Sequence, residues 1–428
     1  MRIIVDKIRL LIKSGLLSII VSGIIEKVLG FISNIIVLRI ISKYEYGLYT
    51  YAWNIFSIIM LLSGIGTDSA ILQLLSEKSG NIQFAKRILK YGGKIGVLFN
   101  IFLSSVLVLI SLFAPLKIQE SRMILFFASF LPCLQYIFCV LSSTFRSQKN
   151  YKEYSIMQVL FSTVYFVSSV LSVIIINQYG LVLGNYIGFF VAIIYGCHRL
   201  RRLFCVNTND VFDKEIVDVR HFFEISLITM VNNGLSQLLY LIDIFLIGIL
   251  DPKEVVLANY KVATIVPFSL GFLSQSIVIF VYPFFAQHNK DGKWCLNKYL
   301  KVVLLLGGMN IIISLLLFVL APYIIYILYG KQYLDAVPVF RILTFGCFFS
   351  GTFRTLSGNL LVAQNKIKYN LFTSILAGIL NIVLDFYLIS RLGSYGAAFA
   401  TVSVIIFTGV LSTTYLILSY KKICITYK

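Results

Sequence analysis

Of 428 residues, 59% are hydrophobic and only 13% charged, and the mean hydropathy is +0.90. A soluble domain carries about 25% charged residues, so an ordinary soluble protein is excluded. The formal net charge of +19 would fit a nucleic-acid binder, but its placement (below) excludes that partner. The seven Cys are odd in number and contain no C-x-x-C pair, so neither a disulfide framework nor a zinc site is indicated.

The chain opens with MRIIVDKIRLLIKSGLLSIIVSG, which lacks a small-x-small cleavage site before further membrane sequence. Residues 2–12 read as an amphipathic segment on the membrane surface. Twelve apolar stretches follow, at 15–41, 47–68, 95–114, 123–143, 155–176, 180–197, 222–250, 262–285, 299–320, 337–361, 369–390 and 395–419. Stretches of about 20 apolar residues are long enough to cross ~30 Å of hydrocarbon. The fold class expected is therefore an all-α integral membrane protein of about 12 transmembrane helices.

In the first span, Ser14, Ser18, Ser22, Glu26, Gly30 and Ser33 recur every three or four residues and share one helical face. Lys27 sits beside the middle of that stripe and Asn34 flanks its end. A charge at mid-membrane costs ~3 kcal/mol or more, so this face must line water or pack on protein. Glu26 is either a coupling-ion carboxylate or a partner that neutralises Lys27 or Arg354. At the start of the second span, Tyr44, Tyr46, Tyr49, Tyr51 and Trp53 form either an interfacial aromatic belt or a sugar-stacking rim.

The loop HRLRRLFCVNTNDVFDKEIVDVR (His198–Arg220) divides the chain into an N-terminal lobe, 1–205, and a C-terminal lobe, 206–428. The seventh span repeats the polar stripe: Thr229, Asn232, Asn233, Ser236, Tyr240 and Asp243 lie on one face. Asn232, Asn233, Ser236 and Tyr240 are suited to substrate hydroxyls. In the tenth span, Arg354 has Ser350, Gly351, Ser357 and Gly358 nearby. Lys27 and Arg354 are candidates to bind a diphosphate, with a helix-to-helix tether as the alternative for Arg354. Asp385 lies in the outer third of the eleventh span. Asp243 and Asp385 are candidate proton or Na+ sites, or else acids solvated near the outer surface.

With the N-terminus inside, 26 Lys and Arg fall on the cytoplasmic side, nine on the other and two within spans. This is the positive-inside pattern, which places both termini in the cytoplasm and draws the protein to anionic membrane lipids. The chain is also internally repeated. Ser33–Tyr51 reappears, blurred, as Ile242–Tyr260, with Asn34 on Asp243 and Tyr51 on Tyr260. Further along, Gln148 answers Gln364, and Tyr179-Gly180 answers Tyr395-Gly396. Six spans per half is an even number, so the halves share one orientation and are related by an axis along the membrane normal. No G-x-x-x-x-G-K-[ST] occurs, since Gly93-Lys94 is followed by Ile95. No Ser-His-Asp or paired-carboxylate catalytic cluster is visible, so an enzyme is not expected.

The run VLRIISKYEYGLYTYAWNIF resembles the R-x-L-x-x-x-x-Y-G-x-Y signature of bacterial polysaccharide export proteins, through Arg39, Tyr46, Gly47 and Tyr49. LIDIFLIGILDPKEVVLANYKVA is similar to its second-half counterpart, through Asp243, Gly248 and Tyr260, with Val256 where that motif usually has Gly. Gln73 stands where many relatives carry a basic residue. The resemblance covers essentially the whole chain. It is nearest to the Wzx-type O-antigen flippases, in the superfamily that includes multidrug and toxic compound extruders and lipid II flippases. It implies two six-helix lobes and a bacterial cytoplasmic (inner) membrane location. It further implies that an undecaprenyl-diphosphate-linked oligosaccharide is moved from the inner to the outer leaflet by alternating access. The partners implied are that lipid-linked oligosaccharide, membrane lipids and other polysaccharide assembly proteins. No cofactor is implied beyond a coupling H+ or Na+. The alternatives are a cation-coupled drug antiporter of the same fold and, in a different class, a polysaccharide polymerase or ligase. The lack of a large outer loop counts against the last.

Overall fold

The computed structural model describes residues 16–77, 81–204, 218–364 and 366–426. Among them the chain is almost wholly helical and has no strand. Hydrocarbon supplies no hydrogen-bond partners, so apolar stretches must satisfy their own backbone groups, which a helix does. In chain order the helices are α1 (Leu16–Ile40), α2 (Lys43–Met60), α3 (Thr67–Glu77), α4 (Ile82–Phe113), α5 (Arg122–Ala128), α6 (Leu131–Ser147), α7 (Tyr151–Ile176) and α8 (Tyr179–Phe204). There follow α9 (Val219–Leu250), α10 (Glu254–Ser269), α11 (Gly271–Gln287), α12 (Gly292–Tyr329), α13 (Val337–Phe349), α14 (Thr355–Ala363), α15 (Ile367–Leu392) and α16 (Ser394–Thr426).

Among the described residues, ten helices are long and apolar enough to cross a membrane. Gln119–Ala128 and Leu131–Ser147, bent by 43°, make an eleventh if taken as one span. The expected seventh span, 222–250, falls on α9, a continuous 32-residue helix. Several α9 side chains lie outside the described residues, so α9 does not enter that count. The protein is a multi-pass membrane protein. The expected surface segment 2–12 and Ser14 lie outside the described residues.

Two compact units divide the chain, Met1–Leu238 and Leu239–Lys428, with the division inside α9. The sequence reading put the lobe boundary after residue 205, within a stretch (205–217) outside the described residues.

In the first unit α1 packs along α7, with Ser33 Oγ and Ser169 Oγ 3.4 Å apart. The second span is broken: Gly64, Ile65 and Gly66 all have positive φ (57°, 54° and 73°) between α2 and α3. A Cβ on Gly66 would also stand 2.4 Å from the Ser226 carbonyl oxygen, so both backbone angle and space call for glycine here. Hydrogen bonds surround the break. Ser63 donates to Asn100 Oδ1 (3.1 Å), and the Tyr136 hydroxyl pairs with Thr67 (2.6 Å) and donates to the Gly92 carbonyl (3.0 Å).

The second unit repeats these devices. Ser274 donates to Asn310 Oδ1 (3.1 Å), and Asn310 donates to Thr352 (3.3 Å). α15 and α16 form a hairpin so close that a Cβ on Gly396 would lie 2.2 Å from the Leu388 carbonyl oxygen. The tenth span changes to a π-turn over Ser350–Arg354, between α13 and α14. Such one-turn irregularities recur at functional positions.

Candidate functional site

The two acids singled out near the outer ends of their spans come together in the second unit. Asp243 on α9 is 4% exposed and Asp385 on α15 is 0% exposed, so neither is a solvated boundary residue. Asp243 Oδ2 accepts hydrogen bonds from the hydroxyls of Tyr260 (2.6 Å) and Thr401 (2.6 Å). Asn381 Nδ2 donates to Asp243 Oδ1 (3.2 Å) and to Asp385 Oδ2 (3.0 Å), so one amide nitrogen bridges both carboxyls. Among the described residues Asp385 Oδ1 has no hydrogen-bond partner. Two buried carboxylates this close repel each other strongly in low dielectric. Two carboxyl groups with hydroxyl oxygens beside them suit a proton or a hard cation.

Arg354 lines a cavity of about 270 Å³ within the second unit. Its other walls include Gln275, Asn359, Asn370, Ser374 and Thr408, and among the described residues Arg354 is the one charged side chain lining it. Among the described residues Arg354 makes no ion pair or hydrogen bond, so it does not act as a tether there. At ~30 Å³ per water, the space holds roughly nine waters. That is room for a charged group such as a diphosphate.

Glu26 and Lys27 are both exposed on α1. On the same stripe Ser22 and Ser33 are buried, at 4% and 3% exposure, so part of that face packs on protein. Asn233 is exposed on α9, whereas the side chains of Asn232, Ser236 and Tyr240 lie outside the described residues. The aromatic group at the second span is largely packed on itself. Tyr46 and Tyr51 are buried, Tyr49 stacks on Trp53 at 5.4 Å, and Tyr44 hydrogen-bonds Glu120. Asn381, Thr401, Asn370 and Ser374 escaped the sequence reading. The signal for them was present as spacing: Asn370, Ser374, Ala377, Asn381 and Asp385 recur every three or four residues along α15.

A family model described as "Polysaccharide biosynthesis protein" matches residues 12–289. The chain belongs to that polysaccharide biosynthesis family. Its sequence is 23% identical to the Stage V sporulation protein B of Bacillus subtilis (strain 168) over 427 residues, covering 91% of this chain and 80% of that relative. In fold, this family member is similar to an inward-facing multidrug resistance MATE family transporter of the MOP superfamily. The TM-score is 0.76 at 14% identity, with 94% of this chain and 96% of the other covered. It is also similar to the lipid II flippase MurJ in an inward closed conformation, with a TM-score of 0.70 at 18% identity and coverages of 95% and 89%. The expected MATE-like helical membrane fold is thereby established.

Proposed function

We propose that the protein is a flippase for an undecaprenyl-diphosphate-linked oligosaccharide, the repeat unit of an O-antigen or capsule, in the bacterial cytoplasmic membrane. It carries the headgroup from inner to outer leaflet by alternating access, with both termini in the cytoplasm. The observation that carries this reading is the Arg354 cavity: among the described residues, one unpaired guanidinium stands with neutral hydrogen-bonding groups and no acid in the lining. A guanidinium presents a planar fork of donors that matches phosphate oxygens. A cavity selecting a cationic drug would need the opposite charge. Family membership, and similarity to a protein named as a lipid II flippase, support the same substrate class.

A polar sugar–diphosphate cannot enter hydrocarbon unaided, since each unsatisfied polar group costs several kcal/mol. Groups such as Asn359, Asn370 and Ser374 replace water as the headgroup passes, while the polyprenyl chain stays in lipid. The Asp243–Asp385 pair takes the coupling H+ or Na+.

Deleting the gene in its native host should abolish surface polysaccharide and leave lipid-linked repeat units in the inner leaflet. Wild-type protein supplied on a plasmid should restore export, and Arg354→Gln at matched expression should restore less than a tenth of it. Normal surface polysaccharide in the deletion, or drug resistance on overexpression without any polysaccharide defect, would point to the antiporter instead.

A further inference from the structure

We infer that the acid pair and the Arg354 cavity are two ends of one electrostatically coupled site, where an anionic substrate and the cation bind together rather than in exchange. The inference rests on the flippase reading and adds the sign of its coupling.

The geometry is a polar file shared by two helices. On α15, Asn370, Ser374 and Ala377 line the cavity, while Asn381 and Asp385, further along the same face, hold the acid cluster. On α16, Thr408 and Ser412 line the cavity and Thr401 holds Asp243, again on one face. Ala377 and Asp385 are eight residues apart, or about 12 Å at 1.5 Å rise per residue. At the acid end, Oδ1 of the fully buried Asp385 has no hydrogen-bond partner among the described residues. At the cavity end, Arg354 has none among the described residues. Among the described residues no ion pair neutralises Arg354 or the acid pair, so opposite net charge stands at the two ends of the file.

Arg354 lines the same cavity as Ala377, so its charge stands on the order of 10–20 Å from the acids. In an effective dielectric of about 20, two unit charges at that range change an affinity severalfold. The Arg354 charge thus opposes a cation at Asp243 and Asp385. A diphosphate on Arg354 cancels that charge and restores the cation's affinity. Linkage is reciprocal, so the cation raises the affinity for the anion by the same factor. A carrier in which cation and substrate compete for one site has the opposite sign.

The test uses detergent-purified full-length protein, 22Na+ as cation probe and farnesyl diphosphate as a soluble isoprenoid-diphosphate probe. Saturating farnesyl diphosphate should raise Na+ affinity severalfold in the wild type. Arg354→Gln should have the raised Na+ affinity without the probe and show no further response. Asp385→Asn should lose Na+ binding but retain farnesyl diphosphate, measured with the radiolabelled compound. If the pair takes protons instead, adding the probe to weakly buffered, Na+-free protein should cause proton uptake, absent in Arg354→Gln. Farnesyl diphosphate that binds but lowers cation affinity, or leaves both cation and proton signals unchanged, overturns the coupling and leaves the flippase reading standing. Failure of the wild type to bind farnesyl diphosphate at all removes the anion site and the coupling with it.

Discussion

Asp243 accepts three hydrogen bonds, from Tyr260, Thr401 and Asn381, while Asp385 relies on Asn381 and leaves one oxygen open. If the pair carries the proposed coupling ion, the open oxygen makes Asp385 the acid to exchange it and the three bonds make Asp243 the fixed one. Asp385→Asn should therefore leave folding intact and cut polysaccharide export at least tenfold, checked by surface staining at matched expression. Tyr260→Phe removes a hydroxyl bonded to a carboxyl group, a contact worth about 1.5–3 kcal/mol when that group is charged. It should lower the melting temperature in detergent as well as transport, which separates a positioning residue from an ion ligand. Both acids were legible in the sequence, because an acid inside a span is rarely idle. Their meeting was not, since α9 and α15 are far apart in the chain. Nor was the bridge: spacing on α15 sets Asn381 on the face of Asp385, but its reach to Asp243 depends on a helix far away in the sequence.

At the level of helices, the sequence located the passes well, because apolar length alone dictates them. It could not show where helices break. The positive φ at Gly64, Ile65 and Gly66 interrupts a stretch that reads as one continuous span. The π-turn before Thr355 interrupts another. Both breaks sit beside a Ser–Asn hydrogen bond, Ser63 to Asn100 in one half and Ser274 to Asn310 in the other. Gly66→Ala would set a methyl group 2.4 Å from a backbone oxygen at an unfavourable φ. Overpacking of this kind costs about 1–3 kcal/mol or more, so the variant should elute as aggregate or melt earlier by fluorescence-detected size exclusion. Gly396→Ala should do the same in the second unit, where the obstructing atom is the Leu388 carbonyl oxygen.

Over the whole molecule, the two halves have kept the same helices but not the same contents. Gln364 follows Gln148 by 216 residues, and that offset also sets Arg354 on Phe138 and Ala377 on Phe161. In the first unit those positions hold a ring cluster: Phe138 lies 5.1 Å from Phe161 and 5.5 Å from Phe189. In the second unit the matching place is the polar cavity. One half is plugged with aromatic rings where the other is open. Ala377→Phe, which copies the first half's solution into the second, should fill the cavity and reduce export at least tenfold while the protein remains monodisperse. If export survives, the cavity is not on the substrate's path. The copied pattern was visible as sequence repeats, while the difference in packing was not, because no single residue announces that its neighbours leave space.

The bonds to Asp243 also set a timetable for synthesis. Thr401 lies 158 residues after Asp243, on the final helix of the chain. At about 5–20 residues per second, the ribosome needs on the order of ten to thirty seconds to cover that distance. Throughout that interval the acid on α9 is in or near the membrane before its partners on α15 and α16 exist. An isolated acid there costs about 2.5–3.5 kcal/mol on insertion scales, so the half-made protein depends on waiting beside the insertion machinery or on carrying a proton. A chain stopped before residue 394 should accordingly be short-lived in a pulse-chase experiment, and Asp243→Asn in that truncated chain should lengthen its life.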